Sequence, residues 1–312
     1  AAAEEGRYGV QVTLMGEVAT TYMQLRGGQL REAITRQNIE SQRKTWKIAD
    51  DKFMQGLGSE AEAAQDLAEL KVTETTLPPI LAAQHMSEHA IAYMLGEDPT
   101  ALAGELSAQG NLPELPQEVS MGMPADLLLR RPDIRKAERD LAAATAEVGV
   151  ATAQLYPTFS ITGMLGVDSS DLKHLPEWSS EYFSVAPGVS WPILDWSRLR
   201  AAIRVQDALK DQALLAYENV YAMALKDVED ALVQYRFETD RNRGLIEAAT
   251  QARKARDVTA QVFQEGISDE TETLVAERSV LQAEDTLAQS NAALRVDLVS
   301  LFKALGGGWK QQ

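Results

Sequence analysis

One short stretch of the chain combines residue types that could hold a metal. The segment HMSEH places His85, Glu88 and His89 in the H-x-x-E-H order of some zinc hydrolases. In such a site both histidines would bind zinc and the glutamate would act as the base. The alternative is an ordinary helix surface, which we favour because only one further histidine, His174, is present. We therefore predict no metal site.

Other residue types that do chemistry are missing or poorly placed. The chain has no cysteine, which excludes disulfides, thiolate catalysis and cysteine-ligated zinc. The glycines at 306–308 follow a helical pattern, where glycine commonly ends a helix, so they do not indicate a phosphate-binding loop. No serine has a placeable histidine and aspartate partner. We predict that the protein is not an enzyme and binds no cofactor.

An acidic cluster follows a glycine within the segment VFQEGISDETETL, residues 262–274. Asp269, Glu270 and Glu272 lie where one helical pattern stops and another begins. In the simple interpretation these carboxylates are solvated at a helix-to-helix turn. In the functional interpretation they form part of a functional surface. The net charge of −16 argues against a nucleic-acid partner, because the sequence offers no basic patch to replace the counterions of phosphates.

Helix-forming residues dominate the elements around these candidates. Apolar residues recur at three- and four-residue steps, as in Val228, Leu232 and Tyr235. The pattern predicts helices over 7–53, 59–95, 125–155, 198–264 and 269–305. A helix over 198–264 would be about 100 Å long, which is typical of a coiled coil or a long bundle. No apolar run is long enough for a transmembrane helix. The fold class is mainly α with a small β part.

Two segments alternate apolar and polar residues, which is typical of strands. The segment 158–167 places four apolar residues on one face, and the segment 182–193 places five there. Each has about the length of a tilted membrane-crossing strand, although a soluble hairpin is the alternative. Trp191 and Trp196 could lie at a membrane interface or in an ordinary core. The predicted membrane-strand residues are Phe159, Ile161, Leu165, Val167, Phe183, Val185, Val189 and Trp191.

The chain contains an internal repeat with an offset of 210 residues. EVATTYMQLR at 17–26 matches DVEDALVQYR at 227–236, and KFMQGLGSE at 52–60 matches VFQEGISDE at 262–270. Gly56 thereby matches Gly266, and Gly96 matches Gly306. The second copy is preceded by a helix and a strand pair that the first copy lacks. We therefore expect the chain to be a fragment whose parent carries a further helix and strand pair.

Three local predictions concern helix ends and breaks. Ser59 and Ser268 can cap the helices that leave the two glycine-containing turns. Pro132 suits a first helical position, with Asp133 favourable at the helix N-terminus and the preceding arginines structural. Pro78 and Pro79 are expected to interrupt the first returning helix, so that the two repeats bend differently.

The segment MPADLLLRRPDIRKAERDLAAATAEVGVATAQLYPTFSITGMLG at 123–166 closely resembles the signature region of the outer membrane factor family, whose members are TolC-like, OprM-like or NodT-type. VSWPILDWSRLRAAI at 189–203 and LVSLFKALGGGW at 298–309 resemble it as well. The resemblance implies a homotrimer with a shared outer-membrane β-barrel and a helical periplasmic tunnel. It divides the chain into a first helical hairpin (1–96), an equatorial connector (97–124), a helix (125–157), a strand pair (158–197), a second hairpin (198–306) and a tail (307–312).

The resemblance also implies a function, partners and site residues. The chain would be part of a passive exit duct for drugs or other small molecules in the outer membrane of a Gram-negative bacterium. Its partners would be a periplasmic adaptor protein, outer-membrane lipid and, indirectly, a proton-driven inner-membrane transporter. The alternatives are a structural or adaptor-like coiled coil and a soluble fragment inactive in transport. The implied docking tip is Gly56, Leu57, Gly58, Ser59, Gly266, Ile267 and Ser268, and the implied periplasmic gate is Asp269, Glu270, Glu272 and Glu62.

Overall fold

The computed structural model describes residues 2–108, 110–116, 130–167, 181–266 and 270–307. In that part of the chain the elements follow the order predicted from the sequence, with one short helix added. They are α1 (Ala2–Met54), α2 (Glu60–Leu95), α3 (Ala103–Leu106), α4 (Pro132–Ala153), β1 (Thr158–Val167), β2 (Glu181–Ser190), α5 (Trp196–Gln264) and α6 (Glu270–Ala304).

The chain divides into two compact units. The strand unit comprises Ala1–Gly6 with Asp133–Ala222, and the helical unit comprises Arg7–Pro132 with Met223–Gln312. The six segments predicted from the sequence are a finer division and stay a prediction. No helix in the described ranges combines the length and the hydropathy needed to cross a membrane.

The core of the helical unit draws on all four of its long helices. Leu25 of α1, Leu70 of α2, Val228 of α5 and Leu301 of α6 are each at most 2% exposed. Burial of such a side chain contributes about 1.5–3 kcal/mol, so the apolar stripes hold the helices together. Gly27 of α1 lies so close to α6 that an added Cβ would meet the Ala292 side chain at 2.4 Å. A larger residue there would force the two helices apart.

The 210-residue repeat is visible in the backbone. Gly56 and Gly266 have φ of 71° and 73°, and each donates its N–H to a phenylalanine carbonyl at 2.9 Å. Gly96 and Gly306 have φ of 78° and 85° and follow the returning helices. A residue with a Cβ rarely adopts this left-handed conformation, so each glycine permits the turn that it makes.

The two prolines of α2 do not interrupt the helix, so that prediction was wrong. Pro78 and Pro79 lie inside a continuous helix from Glu60 to Leu95. Proline removes backbone donors from a helix interior, but burial of Leu70 and Ile80 on either side anchors both halves in the same core. Tertiary packing thus outweighs the local cost.

The two strands form an antiparallel pair in which the predicted apolar residues share one face. Phe159 lies opposite Val189, Leu165 opposite Phe183, and Ile161 opposite Pro187. Residues directly opposite in an antiparallel pair point to the same side, so the apolar residues of both strands coincide. Strand β2 ends at Ser190, short of the predicted position 193, because its partner Thr158 is the first residue of β1.

Helix α4 begins as the sequence predicts. Pro132 is its first residue, and the Asp133 carboxylate accepts a hydrogen bond from the Ile134 N–H at 2.9 Å. The arginine before it has a structural role in the helical unit. The Arg131 guanidinium donates to the Ala304 carbonyl at the end of α6 at 2.8 Å and to Asp227 of α5 at 3.2 Å.

Candidate docking tip and gate

The turn between α1 and α2 presents an exposed leucine on a hydrogen-bonded backbone. The N–H groups of Leu57 and Gly58 both donate to the Lys52 carbonyl, at 2.9 and 3.1 Å. Gly56 supplies the left-handed residue that ends α1. The Leu57 side chain is 77% exposed. The turn is therefore fixed by backbone hydrogen bonds, and its one large apolar side chain is available to a partner.

A capping box fixes the start of α2. The Ser59 hydroxyl accepts a hydrogen bond from the Ala61 N–H at 3.2 Å, and the Glu62 carboxylate accepts one from the Ser59 N–H at 3.3 Å. The predicted cap at Ser59 is thereby confirmed. Glu62, implied as a gate residue, is exposed at the surface, and its carboxylate caps the start of α2.

The second turn is described in part. Gly266 closes α5 as Gly56 closes α1, whereas Ile267, Ser268 and Asp269 lie outside the described residues. Glu270 is the first residue of α6, and Glu272 is an exposed residue of its first turn. Glu62 and Glu272 are 210 residues apart, so they occupy equivalent positions in the two repeats.

A cation–π contact joins the two hairpins beside these turns. The Lys52 ammonium of α1 lies 5.5 Å from the centre of the Phe263 ring of α5. Both residues belong to the last turns of their helices, next to the glycines. Sequence reasoning found Phe263 only as a repeat match, since nothing in the pattern shows which helix faces meet.

Ion pairs between helices continue beyond the turns, and sequence reasoning missed them too. Arg31 of α1 pairs with Asp285 of α6 at 2.7 Å, and Arg278 of α6 pairs with Glu69 of α2. Arg43 of α1 pairs with Glu74 of α2 at 2.8 Å. Hydrogen bonds from Lys71 and Arg43 hold the pKa of Glu74 below its ordinary value. These pairs tie the first hairpin internally and also to the second.

The HMSEH segment lies on α2. The Glu88 carboxylate is buried, and its Oε2 lies 2.9 Å from Nδ1 of His85. His85 and His89 are exposed. Within the described ranges, no group of three or more His, Cys, Asp or Glu side chains is arranged to hold a metal. The glutamate is thus occupied by its neighbouring histidine.

The apolar face of the strand pair is uncovered within the strand unit. Phe159, Ile161, Leu165 and Phe183 are each 78–86% exposed. Val185 and Val189 on the same face are exposed as well, and position 167 lies at the end of β1. Trp191 follows β2 and donates its indole N–H to the Leu155 carbonyl at 3.1 Å. A face of this kind needs an apolar environment outside the described chain.

Comparison with known proteins defines the class. The profile of the family described as outer membrane efflux protein matches residues 123–307, more than half of the chain. The chain belongs to this family. Membership confirms the family recognised from the sequence, the mainly helical fold class with a strand pair, and the outer-membrane assignment.

Individual relatives agree with this membership. The chain is 30% identical over 310 residues to outer membrane protein OprJ of Pseudomonas aeruginosa, covering 99% of this chain and 64% of OprJ. It is 31% identical over 315 residues to the solvent efflux pump outer membrane protein SrpC of Pseudomonas putida, covering 99% of this chain and 65% of SrpC. The chain therefore spans slightly less than two thirds of these relatives. The solved outer-membrane channel OprN superposes with a TM-score of 0.88 at 36% identity, covering 99% and 69% of the two chains.

Proposed function

We propose that this chain is part of an outer-membrane exit duct that passively conducts small molecules out of a Gram-negative cell. The observation that carries the proposal is the uncovered apolar face of the strand pair, on which Phe159, Leu165 and Phe183 stand at least 78% exposed. A ten-residue strand has the length of a tilted membrane-crossing strand, and an apolar outer face suits lipid. A structural coiled coil has no use for such a face.

The duct would form from three copies. The strand pair has an unpaired outer edge on each side within the described part of the chain. Lipid offers no hydrogen bonds to such edges, so strands spanning a membrane must close into a barrel. In the proposed assembly each subunit would contribute two strand pairs, one of them β1 and β2, and three subunits would close a twelve-stranded barrel. The helical units then form the periplasmic tunnel.

The two turns would be the end that meets a periplasmic adaptor protein. Leu57 supports this proposal, because it is the exposed apolar residue of a turn whose backbone is fixed. Gly56, Gly58 and Ser59 shape the first turn, and Gly266, Ile267 and Ser268 would shape the second. An inner-membrane, proton-driven transporter would act through the adaptor.

The acidic residues after the turns would form the resting gate. Glu62 and Glu272 are exposed and equivalent in the repeat, so a trimer would carry six such carboxylates. Asp269 and Glu270 would add to this ring. Like charges at a ring repel unless they are paired or hydrated, which would favour opening or the binding of cations.

The selectivity for a transported substrate would be determined by another protein. A passive duct makes no bond and couples no energy, so selectivity would belong to the transporter that delivers the substrate. The relative SrpC is named for solvent efflux, and we propose organic small molecules as the class to test first.

Reconstitution tests the proposal. The protein, purified in detergent, is expected to be a trimer and to produce discrete conductance steps in planar bilayers. Leu165→Asp should abolish insertion, because it places a charge on the lipid-facing side. Ser160→Asp on the opposite face is the matched control and should insert. A monomer that never conducts, with folding intact by circular dichroism, would instead favour the structural coiled coil.

A further inference from the structure

An exposed apolar and aromatic surface lies where the strand pair passes into α5, and all of it belongs to the strand unit. Leu194 is 94% exposed, and Tyr156, Trp191 and Trp196 are exposed as well. The turn before Leu194 is held by its own backbone, because the Ile193 N–H donates to the Trp191 carbonyl at 2.9 Å. The uncovered apolar surface of the strands therefore continues to the first residue of α5.

Arginines follow this surface directly. The segment 191–204 contains three arginines, Arg198, Arg200 and Arg204, and one acid, Asp195, so its net charge is +2 in a chain whose net charge is −16. The Arg198 guanidinium pairs with the Asp195 carboxylate at 3.0 Å. Arg200 and Arg204 are exposed, and neither pairs with a carboxylate among the residues that the structure describes. The described part of the chain thus leaves two positive charges uncompensated at this surface.

Helical spacing places these two cations on one stripe with an aromatic ring. Trp196, Arg200 and Arg204 follow one another at four-residue steps on α5, so they share a face of the helix. The central carbon of the Arg200 guanidinium lies 5.4 Å from the centre of the Trp196 ring. This contact holds the guanidinium beside the ring and leaves it at the surface. The next acid of α5, Asp207, pairs with Lys210 at 3.3 Å rather than with the stripe.

The order of these features matches the layers of a phospholipid bilayer. The apolar strand face suits the hydrocarbon, tryptophan and tyrosine are enriched at the membrane interface, and arginines beside the membrane attract anionic headgroups. An acidic polypeptide or a free phosphate ion would complement the arginines but not the apolar surface that leads to them. A phospholipid complements both, because its phosphate is negatively charged and its acyl chains are apolar.

We propose that Arg200 and Arg204 bind the phosphate of an anionic phospholipid, with Trp196 at the level of the headgroup and Leu194 among the acyl chains. A guanidinium can donate two parallel hydrogen bonds to one phosphate, which is why arginine suits this contact. The inference rests on the proposed function, since it requires the strand pair to lie in the membrane. The bound lipid would fix the depth of the strand pair in the bilayer at the end that joins the helices.

Thermal unfolding in mixed micelles tests the site. The purified protein in a neutral detergent is mixed with phosphatidylglycerol, which is anionic, or with the same mole fraction of zwitterionic phosphatidylcholine. Phosphatidylglycerol should raise the Tm more, because a ligand that binds only the folded state stabilises it. The double variant Arg200→Gln, Arg204→Gln should reduce the difference between the two lipids at least twofold. The double variant Arg139→Gln, Arg243→Gln removes two exposed arginines elsewhere and should keep the wild-type difference.

Tryptophan fluorescence gives a second readout that does not depend on stability. Lipids with brominated acyl chains quench the tryptophans that they contact, and Trp196→Phe identifies the part of the quenching that comes from Trp196. In the wild type this part should be at least twofold larger with brominated phosphatidylglycerol than with brominated phosphatidylcholine. In the double variant Arg200→Gln, Arg204→Gln the two lipids should quench Trp196 equally.

The controls separate the possible occupants. The headgroup site would be overturned if the wild type responded equally to both lipids, or if the double variant Arg200→Gln, Arg204→Gln kept the full preference for phosphatidylglycerol. An equal rise in Tm with sodium phosphate or with poly-glutamate would overturn it too, because the arginines would then bind a free anion or an acidic polypeptide. The exit duct is tested by different evidence, since a wild type that conducts but prefers neither lipid contradicts only the headgroup site.

Discussion

Ser59 shows how one side chain defines the start of a helix at the proposed docking tip. Its hydroxyl and the Glu62 carboxylate satisfy backbone N–H groups that α2 cannot satisfy internally. Ser59→Ala removes the first of these bonds and should lower the free energy of unfolding by about 1 kcal/mol. Urea unfolding followed by circular dichroism measures this loss.

The matched control is Ser279→Ala on the exposed surface of α6. The Ser279 hydroxyl donates only to the carbonyl of Val275 in its own helix, at 3.0 Å. Its removal should change stability by less than about 0.5 kcal/mol. Equal losses in both variants would show that the cap does not stabilise the tip.

The Asp297 carboxyl should make the free energy of unfolding depend on pH. Burial raises the pKa of Asp297, and the nearby Glu238 adds to the rise while Gln234 opposes it. The folded state therefore holds this proton at pH values where the unfolded state has released it. The stability that protonated Asp297 contributes is complete at pH values below the pKa of this group in the unfolded chain. It is lost as the pH rises through the pKa of the group in the folded chain.

Asp297→Asn should therefore flatten the decline of stability from about pH 4 upwards. The measurement is the urea midpoint across a pH series. Asp98→Asn, at an exposed position after α2, provides the control and should leave the slope unchanged. A steeper decline in Asp297→Asn would contradict the assigned direction.

At the scale of elements, Arg131 holds the end of one helix against another. It is 9% exposed and donates to the carbonyls of Ala224 and Ala304 and to the Asp227 carboxylate. Arg131→Met should lower the free energy of unfolding by about 2–3 kcal/mol, because it leaves these acceptors unpaired. Arg131→Lys should recover little of the lost free energy of unfolding, since an ammonium cannot reproduce the forked hydrogen bonds of a guanidinium.

Its neighbour supplies the control for that experiment. Arg130 is exposed, and Arg130→Ala should change the unfolding midpoint little. If both variants lost the same stability, the loss would reflect removal of a positive charge rather than the contacts of Arg131.

The sequence predicted most element bounds because they follow local rules. Apolar periodicity, the left-handed glycines and the cap at Ser59 are properties of short segments, and they gave α1, α2, α5 and α6 to within a few residues. The prediction that Pro78 and Pro79 interrupt α2 was wrong because local rules do not decide the structure there. There the cost is local, but the compensating burial of Leu70 and Ile80 depends on distant helices.

The candidate site was predictable to a smaller degree. The equivalence of Glu62 and Glu272 follows from the repeat, and the exposure of Leu57 was implied by the family resemblance. The Lys52–Phe263 contact and the Arg31–Asp285 ion pair required knowledge of which helix faces meet. The periodicity of apolar residues identifies the buried face of a helix but not the helix that packs against that face. Such contacts could therefore not be predicted.

At the scale of the whole molecule, the proposed gate leads to one prediction about conduction. Glu272→Ala in the full-length trimer should reduce cation selectivity and weaken block by divalent cations, because it removes three carboxylates from the proposed ring. Bilayer recordings under a salt gradient measure the reversal potential. Glu247→Ala, elsewhere on the second hairpin, should leave it unchanged. An unaltered reversal potential and unaltered block in Glu272→Ala would rule out the ring.

The unpaired edges of β1 and β2 have a consequence for the kinetics of assembly. In the described chain each strand has a hydrogen-bonded neighbour on one side only. In the proposed trimer, closing the barrel would require strands of different chains to pair, so its rate would depend on the concentration of the chains. Dilution would slow it while leaving the formation of the helical unit unaffected, so slow assembly at low expression would accumulate folded helices with unfinished strands.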